Sequence, residues 1–255
     1  AFYMVIHYLS NFFKISVESC YKTVYHNKKK KMKIIFYRIP KNASTSIYDH
    51  LGNINLIKEN ESLIEGFGDK RLYKNNLFSS THLKPDELKI ILGPIIERYF
   101  SFCVVRNPWD RMVSTYKFSE KYNLHKHYGL DNHPSFSYFC ELIEKNANDP
   151  FILSAHKQVQ WTNGNCKPKK IIKFENLQED FSKMIKKQNL SDIVGVLPHE
   201  NKTEHDHYSA YYDAKTKDIV ARVFKEDIKA FNYDFSSQDL SPLKKEKPKG
   251  VLRRR

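Results

Sequence analysis

A three-layer α/β fold, with a mostly parallel central sheet flanked by helices, is what this sequence predicts, on three observations. The apolar runs Ile34–Phe36 and Phe100–Val105 are short and continuous, as strands buried on both faces are. Each run gives way to a turn and then to apolar residues at helical spacing: Ile47, Tyr48 and Leu51 after the first, and Trp109, Met112, Val113 and Tyr116 after the second. At 255 residues, 40% hydrophobic and 14% aromatic, the chain can bury a full core in one sizeable domain.

The elements follow in order. Ala1 to Phe13 is apolar for only about a dozen residues, broken by His7 and Ser10, too short to cross a bilayer and without the small-residue cleavage pattern of a secretory signal. With the lysine run Lys28–Lys31 behind it and Met32 directly before the first strand, residues 1–31 are expected to lie outside the fold. The domain then occupies 32–236, and 237–255 form a basic C-terminal tail. Pro40 ends the first strand, because its ring cannot continue the ladder. Residues 52–76 are polar and glycine-punctuated and read as loop, and Phe78–Thr81 as a short strand ending at His82. Pro85 and Asp86 suit a first helical turn, with Leu88, Ile91 and Leu92 at helical spacing until Gly93. Asn107 is a good N-cap and Pro108 a good first residue for the helix after Phe100–Val105. Phe136, Phe139, Cys140 and Ile143 mark another helix, and Phe151–Val159 a further one. Ile171–Phe174 reads as a strand, Glu175 and Asn176 open a helix over Leu177–Ile185, and Ile219, Val223, Phe224 and Ile228 give an amphipathic helix reaching Phe231 and Tyr233.

The formal charge of +14 invites a nucleic-acid or anionic-membrane partner, but its distribution argues against one. Residues 1–33 carry +6 and residues 240–255 another +6, leaving only +2 on the body of the chain. No specific nucleic acid and no membrane association are therefore expected. Cys20, Cys103, Cys140 and Cys166 form no CxxC pair, and Cys103 sits in an apolar run, so zinc and redox-motif chemistry are not indicated and a reducing compartment fits. The pairs His125/His127 and His205/His207 have chelating spacing without a fixed carboxylate or cysteine partner, and no metal is expected.

Two stretches carry chemistry. After Pro40 come Lys41, Asn42, Ala43, Ser44, Thr45 and Ser46, at the point where a strand turns into a helix. Such a turn presents unpaired backbone N–H groups and the positive end of the helix dipole, a setting for phosphate, to which Lys41 adds a charge and the hydroxyls add donors. The plain alternative is a capped helix start with Ser44 or Thr45 as N-cap. In the second stretch, Arg106 stands at the carboxyl end of the strand and Ser114 two turns into the helix, where a guanidinium and a hydroxyl can hold a second phosphate. Arg111 reads as structural, paired with acidic neighbours. Strand ends of this kind are where open α/β sheets bind nucleotides.

The order of the first loop, lysine before the hydroxyls and no glycine, departs from the GxxxxGK[ST] nucleotide loop. Pro40–Ser46 instead resembles the phosphosulfate loop of the PAPS-dependent sulfotransferase superfamily, closest to the carbohydrate branch of heparan 2-O and chondroitin type. Val105–Tyr116 is similar to that family's 3′-phosphate motif, with Asn107 in place of an acidic residue. Phe174–Phe181 and Leu197–Tyr212 resemble later family segments, so the likeness spans 33–235, strong in the two motifs and diffuse elsewhere.

The resemblance implies a P-loop-like fold and transfer of a sulfuryl group from 3′-phosphoadenosine 5′-phosphosulfate (PAPS) to an acceptor hydroxyl, with no metal. It assigns His82 as general base, Lys41 to the leaving phosphate, residues 42 to 46 to the 5′-phosphate, Arg106 and Ser114 to the 3′-phosphate, and Arg38 to the acceptor, a hydroxyl-bearing molecule expected to be a glycan. Asn201 and Lys202 are either phosphate contacts or part of a solvated loop. A cytoplasmic enzyme is expected, or a Golgi-lumenal one if an N-terminal anchor has been lost. Two rivals stay open: a P-loop kinase or NTPase, which shares the loop physics but wants glycines and a Mg²⁺-binding carboxylate, and a non-catalytic polyanion binder resting on the basic tails.

Overall fold

The computed structural model describes residues 24–27, 32–52, 82–125, 130, 132–148, 155–197 and 206–235. Among them, one sheet holds β1 (Val24–Asn27), β2 (Met32–Tyr37), β3 (Phe100–Val105) and β4 (Lys170–Lys173), in that spatial order. β2, β3 and β4 are parallel, and β1 lies antiparallel along β2 with Val24 opposite Ile35. Within the stretch 1–31 expected to lie outside the fold, Val24–Asn27 is instead part of the sheet. Val24–Asn27 completes the ladder on the free side of β2, where the backbone groups of a parallel edge would otherwise be left unpaired.

Alternation along the strands sends Ile35, Tyr37, Cys103 and Val105 to one face and Ile34, Phe36, Phe102, Val104 and Ile172 to the other. Both faces are covered, which is why the runs show no polar alternation. The first face packs against Leu83, Leu88, Tyr99, Trp161 and Phe231. The second packs against Ile47 and Leu51 of α1 (Ser44–Gly52). Before β3 comes α2 (Pro85–Leu92), and after it α3 (Pro108–Lys121), whose start is capped as expected by the Asn107 side chain accepting from Trp109 N–H at 3.0 Å. α4 (Phe136–Lys145) and α5 (Leu177–Lys187) follow, then the short α6 (Ser191–Val194), α7 (Ala214–Val223) and α8 (Lys225–Phe231). α5 puts Phe181 edge-on to Phe102, ring centroids 6.0 Å apart, while Phe102 stacks on Phe36 at 4.8 Å. A separate helical core joins Trp109, Met112 and Val113 of α3 to Phe139 and Ile143 of α4 and to Ile219 and Val220 of α7. No described helix is long and apolar enough to cross a membrane.

Some expected elements differ. From Ala155 onward the expected helix over Phe151–Val159 is not an α-helix, and Gln158–Trp161 forms a 3₁₀ turn. The Gln158 and Val159 N–H groups bond the Asp227 carboxylate instead of carbonyls of a preceding turn. The last helix is two helices, broken at Phe224 (φ −107°, ψ 26°), and Asp227 in the second is the residue turned inward to those N–H groups. Glu175 does not cap α5; its carboxylate accepts from Asn107 N–H at 2.8 Å and Tyr233 O–H at 3.0 Å. The expected loop over residues 53–76, the strand Phe78–Thr81, Asn201 and Lys202, and the tail 237–255 lie outside the described residues.

Phe181 joins α5 to the sheet through an aromatic contact with no polar substitute. Phe181→Ala is expected to lower stability by about 3–5 kcal/mol, read as a fall in the urea midpoint at unchanged slope.

Candidate active site

The turn after β2 is held in an unusual backbone shape. Lys41 and Ala43 both have left-handed φ, +67° and +56°, on either side of Asn42. Each costs a non-glycine residue about 1–2 kcal/mol and persists only where the surroundings fix it. Alternation of this kind is the backbone pattern of anion-binding nests, with the Asn42 N–H itself directed to the Ile39 carbonyl. Helix α1 begins at Ser44, and Ile47 N–H bonds the Ala43 carbonyl at 3.1 Å, so the N-cap is Ala43 rather than Ser44 or Thr45. Alanine has no side-chain acceptor, so the first-turn N–H groups are not capped from that position. Among the described residues the hydroxyls of Ser44, Thr45 and Ser46 have no hydrogen-bond partner.

Four contacts fix this turn, and all reach it from elsewhere in the chain. Asn42 Nδ2 donates to the Val104 carbonyl at 2.8 Å and to Gln158 Oε1 at 2.6 Å. Arg111, 2% exposed, donates from Nε to the Pro40 carbonyl at 3.1 Å and from Nη1 to the His156 carbonyl at 3.0 Å. Arg106 Nη1 donates to the Lys41 carbonyl at 3.0 Å. Asn42 N–H is also engaged, on the Ile39 carbonyl. Asn42 therefore anchors the loop from within and turns neither its side chain nor its N–H outward, unlike the place the sequence pattern gave it. Arg111 is structural as expected, but its hydrogen-bond partners are carbonyls, with Asp227 acting on it through space. Burial pulls its pKa down to about 10.

Arg106 lies across Phe174, 4.2 Å from the ring centroid, and its Nε donates to Asp110 at 2.7 Å. The buried Ser114 hydroxyl has no partner among the described residues. Asp110, Ser114 and Phe118 are spaced four apart on α3 and share a face. Asp110 holds Arg106, and Phe118 carries the Lys41 ammonium 3.8 Å from its ring centroid. Ser114 thus sits between Arg106 and the tip of Lys41. The lysine pKa is lowered to about 8, first by burial and then by the cations Arg106 and Lys121. The charges acting on Lys41 are all of its own sign, an arrangement that an anion would relieve.

His82 reaches the same rim from before α2. Its Nδ1 lies 2.7 Å from the Arg38 carbonyl oxygen, which can only accept, so Nδ1 carries the proton and Nε2 presents a lone pair. The Trp161 indole donates to the His82 carbonyl at 3.2 Å and fixes the backbone. Burial lowers the imidazole pKa to about 4 against the opposing effect of the Arg38 bond, and Arg38, Arg111 and Lys41 lower it further. The ring is neutral at physiological pH and lies within electrostatic reach of Lys41. Arg38 is buried, with its guanidinium 4.7 Å from the Tyr48 ring centroid.

His125 is buried edge-on to His133, centroids 5.6 Å apart, and His207 is occupied by Ser209 in the turn Tyr208–Tyr211. His127 and His205 lie outside the described residues, among which no cluster of three metal-ligating groups occurs.

With the site described, comparison with known proteins identifies the chain. The Sulfotransferase family model matches residues 26–234. The chain belongs to the sulfotransferase family. An uncharacterized protein of Archaeoglobus fulgidus is 30% identical over 106 residues, 40% of this chain and 78% of that protein. No solved structure matches the chain significantly. As a sulfotransferase, the chain is a transferase of α/β fold.

Sequence reasoning missed Asp110, Gln158, Trp161 and Asp227. Asp227 left a trace: it follows Val223 by four and Phe224 by three, an acid on an apolar stripe, and such a residue needs a buried partner. Gln158 left none, since a glutamine beside Val159 looks like surface until its neighbours are known. Gln158→Ala is expected to cost about 2–4 kcal/mol, because it strands the buried N–H and carbonyl of Arg106; urea denaturation at neutral pH measures it.

Proposed function

We propose that this sulfotransferase moves the sulfuryl group of PAPS to an acceptor hydroxyl, and that the acceptor is a carbohydrate. The observation that carries the reading is the Arg106 to Lys41 hydrogen bond, which joins two anion cradles at one rim of the sheet. The residues fit a doubly phosphorylated adenosine. At one end are an N-terminal turn without a side-chain cap, hydroxyls without a partner among the described residues, and a lysine whose acting charges are all cationic; at the other are Arg106 and the Ser114 hydroxyl, likewise unpartnered among the described residues. The carbohydrate acceptor rests on the wording of the loop, Pro40–Ser46, and on Arg38 beside His82.

Bound donor supplies the sulfuryl group. His82 Nε2 accepts the proton of the acceptor hydroxyl, the acceptor oxygen bonds to sulfur, and the bond from sulfur to the bridging oxygen of the 5′-phosphate breaks. Lys41 leaves Phe118 to neutralise the charge arriving on that oxygen, helped by the N–H groups and hydroxyls of Ser44, Thr45 and Ser46. Arg106 and Ser114 hold the 3′-phosphate, and Asp110 and Phe174 keep the guanidinium in place. The products are a sulfate ester and 3′-phosphoadenosine 5′-phosphate, with the proton left on His82 to be released to solvent.

Lys41→Ala and His82→Ala are each expected to lose on the order of 10²-fold or more in turnover with the fold retained, measured with labelled donor and a panel of glycans, peptides and simple alcohols. Arg106→Ala is expected to weaken 3′-phosphoadenosine 5′-phosphate binding in calorimetry, and that compound, not ATP with Mg²⁺, is expected to raise the melting temperature. Stabilisation by ATP with Mg²⁺ alone would overturn the reading.

The pH profile follows from the two shifted groups. His82 must be neutral and Lys41 charged in the free enzyme. The kcat/KM profile is therefore expected to fall as pH drops through about 4 and as it rises through about 8, and to stay flat between. An acid limb at the ordinary histidine value near 6.5 would remove His82 from the role.

A further inference from the structure

The last two turns of α3 carry an exposed aromatic pair that the donor assignment leaves unused. Phe118 and Tyr122 are 41% and 55% exposed, four residues apart, with ring centroids 4.6 Å from each other and planes 48° apart. Large rings this open are an exception on a helix that buries Trp109, Met112 and Val113. Each ring also faces an ammonium: Lys41 lies 3.8 Å from the Phe118 centroid and Lys121 5.6 Å from that of Tyr122.

Position along α3 says what the pair can touch. Asp110, Ser114, Phe118 and Tyr122 form one line at four-residue spacing. Its first half holds Arg106 and Ser114, the 3′-phosphate end of the proposed donor site. Lys41 starts at Arg106 with its carbonyl and ends over Phe118 with its ammonium, so its side chain spans the interval between them. Beyond that ammonium, away from Arg106, come Tyr122 and Lys121. A group there lies past the Lys41 ammonium, on the far side from the Arg106 end of the proposed donor site.

We propose that Phe118 and Tyr122 form the acceptor ledge, on which the apolar face of a pyranose ring lies, with Lys121 beside it for an acidic substituent of the same or the next sugar. An aromatic face with flanking cations complements a ring whose one side is C–H and whose rim is hydroxyl and carboxylate. When the donor draws Lys41 away, the Phe118 ring is uncovered, so donor binding prepares the ledge. This inference rests on the carbohydrate-acceptor reading above and adds the residues that select the acceptor.

The test uses the full chain with labelled donor and three acceptors: a desulfated uronate-bearing oligosaccharide, a neutral oligosaccharide and a simple phenol. Phe118→Leu and Tyr122→Ala are each expected to raise KM for the oligosaccharide that the unaltered protein uses by about tenfold, with 3′-phosphoadenosine 5′-phosphate affinity not weakened in calorimetry. Phe118→Tyr is expected to restore it, which loss of fold would not allow. Lys121→Ala is expected to raise KM for the uronate-bearing acceptor alone. Unchanged KM in both ring variants overturns the ledge while leaving the transferase reading intact. Weakened donor-product affinity with unchanged KM assigns the rings to adenine and overturns it too. Transfer to the phenol alone by the unaltered protein, or to none of the three acceptors, removes the carbohydrate reading and the ledge together.

Discussion

The side-chain amide of Gln158, sealed from water, donates to the Arg106 carbonyl at 2.8 Å and accepts from Arg106 N–H at 2.9 Å and from Asn42 at 2.6 Å. One amide thereby ties the turn after β2 to the end of β3, and the rest of the site depends on that tie. A buried amide with its donors and acceptors met defines a geometry more sharply than apolar contact does, since any slip leaves a group unsatisfied at a cost of about 1–3 kcal/mol. Asp227 extends the network one step outward by holding the Gln158 and Val159 N–H groups at 2.8 and 2.9 Å. Its carboxyl is pushed upward by burial and held down by Arg111 and the two N–H bonds, so acid, arginine and amide are best understood as one unit.

That unit lets the loop hold a shape it would not otherwise keep. Left-handed backbone at Lys41 and Ala43 is costly, and glycine would remove the cost. The chain uses neither glycine nor a side-chain cap there. It pins the loop carbonyls of Pro40 and Lys41 with Arg111 and Arg106, which leaves the outward N–H groups and hydroxyls for a ligand. The same arginines make the rim electropositive. Burial and like charges lower the Lys41 pKa to about 8, and burial keeps His82 neutral, with its proton on Nδ1 toward the Arg38 carbonyl. Stability is given up locally and recovered in the core that backs the rim, where Phe36, Phe102 and Phe181 interlock.

Much of this was legible in the residues. The continuous runs at Ile34 and Phe100 gave strands buried on both faces, and Asn107–Pro108 gave the start of α3, because strand burial and helix capping are local and leave a local pattern. Lys41 and Arg106 were singled out by the strand-to-helix turns they stand at and His82 by the family resemblance, and the fold brings Lys41 into contact with Arg106 and within electrostatic reach of His82. The anchoring role of the Asn42 side chain was not legible, since the glutamine that holds it lies 116 residues further along the chain. The helix expected to end at Val159 failed for a similar reason: its N–H groups found a carboxylate 68 and 69 residues away in place of the preceding turn. β1 was missed because a four-residue strand among lysines has no pattern of its own and exists by pairing with β2.

The sequence by itself determined the layers, the two strand-to-helix turns and the residue types at their tips, all of which follow from periodicity, propensity and the chemistry of a few adjacent side chains. Only the tertiary structure decided that the turns meet, which way Asn42 faces, which nitrogen of His82 holds the proton, and that Lys41 rests on Phe118. Those outcomes turn on single hydrogen bonds and ring contacts between residues far apart in the chain. Their energies exist only after burial has removed water as a competing partner.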